Sequence, residues 1–129
     1  MMALNKILHV EDEPDIQEVA KLALESVGGF TVEACSSGQE ALDKVADFAP
    51  DIILLDVMMP DMDGPATLQE LRKIQELADT PIIFMTAKAQ THEIEKFKEL
   101  GAIDVITKPF DPMTLADQIR DIWEKHHGR

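Results

Sequence analysis

Five short apolar runs, each separated from the next by a longer segment of helical spacing, constrain this chain more than any other feature. The runs are Ile7-Leu8-His9-Val10 and residues 30–34, 52–55, 82–85 and 103–106. Nearly continuous apolar strands are what a parallel sheet covered on both faces demands. Between the runs, apolar residues recur three and four positions apart. Ile16, Val19, Ala20, Ala23 and Val27 share one face of a helix expected over 14–27, opened by Pro14 and stopped by Gly28-Gly29. Ser37 and Glu40 stand at capping-box spacing and open a second helix, with Ala41, Leu42, Val45, Ala46 and Ala49 inward and Pro50 behind it. A third helix is expected from Pro65, with Leu68, Leu71 and Ile74 or Ala78 inward. A fourth covers 91–100, with Ile94 and Phe97 inward and Gly101 at its end. A fifth follows Asp111-Pro112 and carries Leu115, Ala116, Ile119, Ile122 and Trp123. A strand–helix unit repeated five times predicts an α/β fold with helices on both faces of a parallel sheet and right-handed crossovers.

The chain of 129 residues fits one domain, with a core over about 5–124 and a tail over 125–129. The pair His126-His127, next to Gly128-Arg129, reads as part of a fraying tail in preference to a metal site. One cysteine, Cys35, excludes an internal disulfide and suits a reducing cytoplasm. No stretch is long enough to span a bilayer, and the apolar start runs straight into Glu11-Asp12-Glu13 where a signal peptide would need a cleavage site. The formal net charge of -13 repels phosphate backbones and anionic lipids. Direct nucleic-acid binding and membrane association by this chain are therefore not expected, and basic protein surfaces or cations are the natural partners.

In doubly wound folds, ligands bind beyond the carboxyl ends of the strands. That rule selects Glu11-Asp12 after the first run, Asp56 after the third, Thr86-Ala87 after the fourth and Lys108-Pro109 after the fifth. Taken singly, each is ordinary: strand-end acids are commonly helix caps, threonines turn residues and lysines solvated. Their convergence on one rim is the informative fact. Two like charges about 4 Å apart cost about 4 kcal/mol at an effective dielectric of about 20, so three carboxylates there call for a proton or a cation. A hard, oxygen-seeking ion such as Mg²⁺ suits them, with Mn²⁺ as an alternative. Lys108 adds a further positive charge, the Thr86 hydroxyl a donor, and Ala87 leaves room. The set suits phosphoryl transfer to Asp56 as a carboxylate nucleophile.

The segments Ile7-Leu8-His9-Val10-Glu11-Asp12-Glu13, Asp51-Ile52-Ile53-Leu54-Leu55-Asp56-Val57-Met58-Met59-Pro60, Asp63-Gly64, Pro81-Ile82-Ile83-Phe84-Met85-Thr86-Ala87-Lys88 and Lys108-Pro109-Phe110 resemble the receiver domains of two-component response regulators. The resemblance runs from about Lys6 to Trp123. It implies a flavodoxin-like sandwich with strand order 2-1-3-4-5. It implies that Asp56 accepts a phosphoryl group from a histidine kinase or a histidine phosphotransfer protein. Asp12 and Asp56 would hold Mg²⁺ directly with the backbone carbonyl of Met58, and Glu11, in place of the more usual Asp, would reach it through water. Thr86 and Lys108 would contact the phosphoryl group, and Lys108-Pro109 would be a cis peptide. The switch region would comprise Thr86, Ala87 and position 105. Such a domain catalyses only its own phosphoryl transfer and dephosphorylation. It would signal to a downstream protein, with a phosphorylation-dependent dimer as one form of output, through the fourth helix, fifth strand and fifth helix.

Two positions depart from the familiar pattern. Many receivers carry Tyr or Phe three residues before the lysine, a ring that swings inward as the threonine moves; here the residue is Val105. Valine is too short and too stiff at χ1 to repeat that motion, which leaves the fourth helix and its flanking loops to carry the signal. Met58, two residues after Asp56, lacks the polar group that would orient an attacking water, which predicts a slowly hydrolysing phosphoaspartate; Lys88 is a second residue placed to affect hydrolysis. The methionine-rich loop 58–64 reads first as loop packing and second as an adaptable partner contact. The acids and apolar residues of the first helix read as a solvated face that can also dock a kinase-side helix bundle.

Other readings fare worse. A haloacid-dehalogenase-type phosphatase needs a second Asp where Met58 stands and an acid pair late in the chain. A flavin domain needs a phosphate-cradling first turn, and this one is acidic. A receiver-shaped scaffold that is never phosphorylated would not need the full set of site residues. About six residues follow Trp123, too few for an effector domain, so either a single-domain regulator or a piece of a longer protein is expected.

Overall fold

The computed structural model describes residues 3–87 and 90–127. Lys88, Gly128 and Arg129, which figure in the sequence reading, lie outside them. The strands are β1 (Lys6–Val10), β2 (Thr31–Cys35), β3 (Ile52–Asp56), β4 (Ile82–Thr86) and β5 (Asp104–Thr107). All pair in parallel, in the order β2-β1-β3-β4-β5. The helices are α1 (Pro14–Leu22), continued by a wide turn at Ala23–Val27, then α2 (Gly38–Phe48), α3 (Gly64–Arg72), α4 (Thr91–Leu100) and α5 (Leu115–His127). This is the flavodoxin-like architecture that the resemblance implies.

Alternation along the pleat divides the core in two. Ile7, Leu54, Ile83, Met85 and Ile106 face Ala20, Leu24, Leu115, Ile119 and Trp123 on the α1 and α5 side. Leu8, Val10, Ile53, Leu55 and Phe84 face Ala41, Val45, Leu68 and Leu71, with Phe97 of α4 at the margin. Each fully buried Val, Leu, Ile, Met or Phe among them contributes about 1.5–3 kcal/mol. The central strand β3 is buried along its whole length, which fixes the height of Asp56 at its end.

The helices differ from expectation where local geometry changes their phase. Gly28 N–H bonds to the Ala23 carbonyl, five residues back, so the last turn of the first helix is widened. Leu24, four residues after Ala20, is buried, the widened turn leaves Val27 49 % exposed, and Val19 in the regular part of α1 is 43 % exposed. In α2, Ala46 and Ala49 also face outward. The third helix stops at Arg72 because Ile74 takes extended dihedrals; a short 3-10 turn, Gln75–Leu77, follows and buries Leu77 while Ala78 points out. The Arg72 guanidinium holds this turn by donating to the Leu77 and Thr80 carbonyls at 2.8 and 2.7 Å. Strands β2 and β5 each begin one residue later than expected. At the far end, Lys125, His126 and His127 extend α5 and do not fray. The His127 ring stacks on Trp123 at 3.8 Å, and cationic side chains suit a helix C-terminus.

Candidate functional site

Counting by twos along the strands places the site. From Ile7 through His9 the pleat reaches Glu11, from Leu54 it reaches Asp56, and from Ile106 it reaches Lys108. All three therefore arrive on the α1 and α5 side of the sheet at its carboxyl rim. Thr86 follows Phe84 by two and stands on the opposite side, toward α4. The Lys108 N–H extends the ladder by bonding to the Thr86 carbonyl at 2.8 Å, and the Lys108-Pro109 peptide is cis.

Ligand atoms of Glu11, Asp12 and Asp56 lie within 4.8 Å of one another. Glu11 is fully buried, Asp56 is 2 % exposed, and Asp12 is half-buried. The Lys108 ammonium sits between two of them, 3.0 Å from Glu11 Oε1 and 3.0 Å from Asp56 Oδ1. Burial pushes the Glu11 carboxyl up to about 7; the Lys108 hydrogen bond pulls the other way and the Asp56 charge adds to the rise. Burial would lower the Lys108 ammonium, but its hydrogen bonds to Asp56 and Glu11 outweigh that and raise it. Three carboxylates, with one ammonium among the described residues bonded to two of them, are underneutralised, and the donor set suits a hard divalent cation.

The β3–α3 loop frames the phosphoacceptor candidate. Val57 N–H bonds to the Met85 carbonyl at 3.0 Å and Gly64 N–H to the Val57 carbonyl at 2.9 Å. Asp63 caps α3, its Oδ1 accepting from Ala66 N–H at 2.9 Å. Within this loop Met59 is buried and Met58 is 76 % exposed, so packing and exposure divide between neighbours. Val105 is half-buried and packs on the side of Phe84 and Phe97, whose rings meet edge-on at 5.1 Å. Thr86 is buried and Ala87 exposed. An open groove of about 380 Å³, lined by Ile16, Val19, Ala87, Pro109 and Phe110, leads to Lys108.

Two supporting residues carry no signal in strand-end reasoning. The Gln17 amide donates to the Glu11 and Cys35 carbonyls at 3.0 and 3.2 Å, clamping the ends of β1 and β2. His9, directly before this rim on β1, is fully buried, and neither ring nitrogen has a hydrogen-bond partner among the described residues. Burial, with the Lys108 charge as a smaller cause, lowers it to about 4. Its only sequence signal is a polar residue inside an apolar run.

Comparison with known proteins identifies the family and agrees with the fold. Residues 7–120 match the family described as the response regulator receiver domain. A probable transcriptional regulator, ycf27, of Guillardia theta is 40 % identical over 117 residues, which cover 91 % of this chain and 44 % of that protein. The response regulator Rre1 of Synechocystis is 33 % identical, over 90 % of this chain and 50 % of its own. The chain thus spans half or less of the length of these curated relatives. Among solved structures, the chemotaxis protein CheY4 of Vibrio cholerae superposes with a TM-score of 0.85 at 31 % identity, covering 93 % of this chain and 99 % of that one. The receiver domain of a Francisella response regulator superposes with a TM-score of 0.82 at 29 % identity, covering 95 % and 98 %. With the fold, the rim and the match over most of its length in agreement, the chain belongs to the response regulator receiver domain family.

Proposed function

We propose that this receiver domain accepts a phosphoryl group on Asp56 in a Mg²⁺-dependent reaction and signals by changed protein–protein contacts. The observation that carries this reading is the buried Asp56 carboxylate held 3.0 Å from the Lys108 ammonium inside a cluster of acids. Asp12, Asp56 and the Met58 carbonyl are the groups that would hold the ion, with Glu11 reaching it through water and Mn²⁺ as an alternative. When bound, it supplies positive charge against the oxygens of the transferred group. An Asp56 oxygen attacks phosphorus, and the bond to the donor breaks with its electron pair leaving on the donor atom. The Lys108 ammonium turns from the carboxylate it now shares to an oxygen of the phosphoryl group, and the Thr86 hydroxyl donates to another. The domain acts on itself and turns over no separate substrate apart from its phosphodonor.

The donor would be a histidine kinase or a histidine phosphotransfer protein, seated over the groove beside α1 and Lys108. Output to a downstream protein, with phosphorylation-dependent dimerisation as one form, would use α4, β5 and α5. An acidic chain suits protein targets and not direct contact with nucleic acid or anionic membranes, and a cytoplasmic location fits this role. Among the described residues no helix is long and apolar enough to cross a membrane.

Intact-mass spectrometry after incubation with acetyl phosphate and Mg²⁺ tests the proposal. One added phosphoryl group is expected, abolished by Asp56→Asn and by chelation. A wild type that takes up neither this group nor Mg²⁺ with beryllofluoride would overturn it. The exposed Met58 offers no polar group to orient water, so Met58→Asn is expected to shorten the phosphoaspartate lifetime severalfold, read from the decay of the same mass peak.

A further inference from the structure

Resting on that function, we infer that Gln17 is a positioning residue: its side-chain amide sets the peptide between Glu11 and Asp12, and through it the place of Asp12 before the ion. Gln17 is the fourth residue of α1 and half-buried. Its Nε2 donates to the Glu11 carbonyl at 3.0 Å, to the Cys35 carbonyl at 3.2 Å and, at the longer distance of 3.4 Å, to Ser36 Oγ. A side-chain amide has two N–H donors, so the two carbonyls are its main partners.

A peptide unit is planar. The Glu11 carbonyl oxygen therefore shares a plane with the nitrogen and the Cα of Asp12, and a hold on that oxygen is a hold on Asp12. The other side of Glu11 is pinned too, because its N–H bonds to the Cys35 carbonyl at 2.9 Å. Asp12 needs such a hold, since it lies outside both β1, which ends at Val10, and α1, which begins at Pro14. Gln17 grips the chain on both sides of it. The Gln17 main-chain N–H bonds to the Glu13 carbonyl at 3.0 Å, and the side chain bonds to the Glu11 carbonyl. Any residue at position 17 can make the first bond, whereas the second needs a donor of this reach.

The clamp is as firm as what it grips. Cys35 is buried at the end of β2, and the Ser36 N–H is held by Glu40 Oε1 at 2.6 Å. Glu40 belongs to α2, whose first turn is fixed by Ser37 Oγ accepting from the Glu40 N–H at 3.0 Å. The Gln17 amide thus ties the loop before α1 to a capped helix start. Precision matters here because Mg²⁺ takes its oxygens only near about 2.0–2.1 Å and in near-ideal octahedral geometry. A carboxylate that drifts by a fraction of an ångström binds it less well. Glutamine supplies the two donors without placing another charge beside the acids.

The test reads the clamp first in metal-free wild type and then through Mg²⁺ affinity, measured by calorimetry with MgCl₂ alone. The Gln17 side-chain amide protons, assigned by their loss in Gln17→Met, should exchange with water severalfold more slowly than those of the exposed Gln118. Gln17→Met keeps the length and has no donor; Gln17→Asn keeps the donors but withdraws them by one methylene, about 1.5 Å. Each should weaken Mg²⁺ binding by about tenfold. Acetyl phosphate labelling of Gln17→Met should return to the wild-type rate once Mg²⁺ is saturating, because Gln17 acts on the ion's place and not on the transfer. Arg72→Met removes a clamp on two carbonyls at the opposite end of the sheet, so it should lose stability and keep the wild-type affinity. Amide protons that exchange as fast as those of Gln118 overturn the inference, whether or not either variant folds. So do a wild-type affinity in Gln17→Met, an equal loss in Arg72→Met, or labelling that stays slow at saturating Mg²⁺. A wild type that binds no Mg²⁺ would overturn the function proposed above and this role with it, whereas binding that Gln17→Met leaves intact overturns this role alone.

Discussion

His9 and Glu11 stand two residues apart at the end of β1, both fully buried, yet they answer pH in opposite senses. Burial holds His9 down to about 4 from an ordinary 6.5. Between those values the unfolded chain binds the extra proton, so the histidine's contribution rises with pH and is lost as pH falls through about 4. Burial lifts Glu11 to about 7 from an ordinary 4.5. There the native protein binds the extra proton, so stability is present at low pH and is lost as pH rises through about 7. Each displacement corresponds to something on the order of 3 kcal/mol, so in metal-free protein the two largely offset each other over the shared window. Urea unfolding in chelator across pH 4 to 7 should reveal both parts as differences from wild type. His9→Leu leaves Glu11 alone, and its stability relative to wild type should fall as pH rises. Glu11→Gln leaves His9 alone and should do the reverse. His9→Leu also removes two buried nitrogens without partners, a gain of about 1–3 kcal/mol at neutral pH. Neither effect is legible in sequence. The strand-end rule finds Glu11 and Lys108 as site residues, but not that they bond to each other across 97 positions, and His9 hides in a run that reads as plain core.

The elements make the site a matter of backbone height. Gly64, the first residue of α3, lies against the end of β3: a Cβ there would sit 2.6 Å from the Asp56 carbonyl oxygen and 2.8 Å from Val57 Cα. Those are backbone atoms of the last residue of a strand buried along its length and of the residue that follows it, so they cannot yield as a flexible side chain would. Gly64→Ala should therefore cost about 1–3 kcal/mol and, by displacing Asp56, slow acetyl phosphate labelling at saturating Mg²⁺. Gly29→Ala is the matched contrast. Its φ is +75° and no heavy atom lies within 4 Å of the added carbon, so backbone strain of about 1 kcal/mol is expected with no change in labelling rate. Equal slowing in both variants would show that stability, not the height of Asp56, governs the rate. The strands were legible because apolar runs and the alternation of elements leave few alternatives, and their order was implied by the resemblance to receiver domains. Helix phase was less so. The stripe expected for the first helix rests on 3.6 residues per turn throughout, and the wide turn after Leu22 carries Val27 out of it while Leu24 stays on the buried face of Ala20. The end of α3 depended on Arg72 binding carbonyls that lie beyond it, a contact no local pattern announces.

At the scale of the whole molecule, a net charge of -13 is carried by a chain whose rim gathers two buried acids and one half-buried one, with the Lys108 ammonium bonded to the buried pair. Surface acids repel one another weakly, because water and salt screen them within about 8–10 Å. Buried or half-buried acids are screened far less, so the rim should dominate the response to a divalent ion while the surface responds to ionic strength in general. The two can be separated. A ligand that binds only the native state at 100 times its dissociation constant adds about 2.7 kcal/mol, which for a domain of this size is a rise in Tm on the order of 10 °C. MgCl₂ should produce that rise in the wild type, and NaCl at equal ionic strength should produce only the small part due to screening. Asp12→Asn should lose most of the Mg²⁺-specific part and keep the NaCl part. Lys108→Gln removes the ammonium that bonds to two of these acids, so it should start from a lower Tm without Mg²⁺ and gain more from its addition than the wild type does. Were MgCl₂ and NaCl to raise Tm equally in every variant, the rim would be no more than another part of an acidic surface, and scanning calorimetry would have shown it directly.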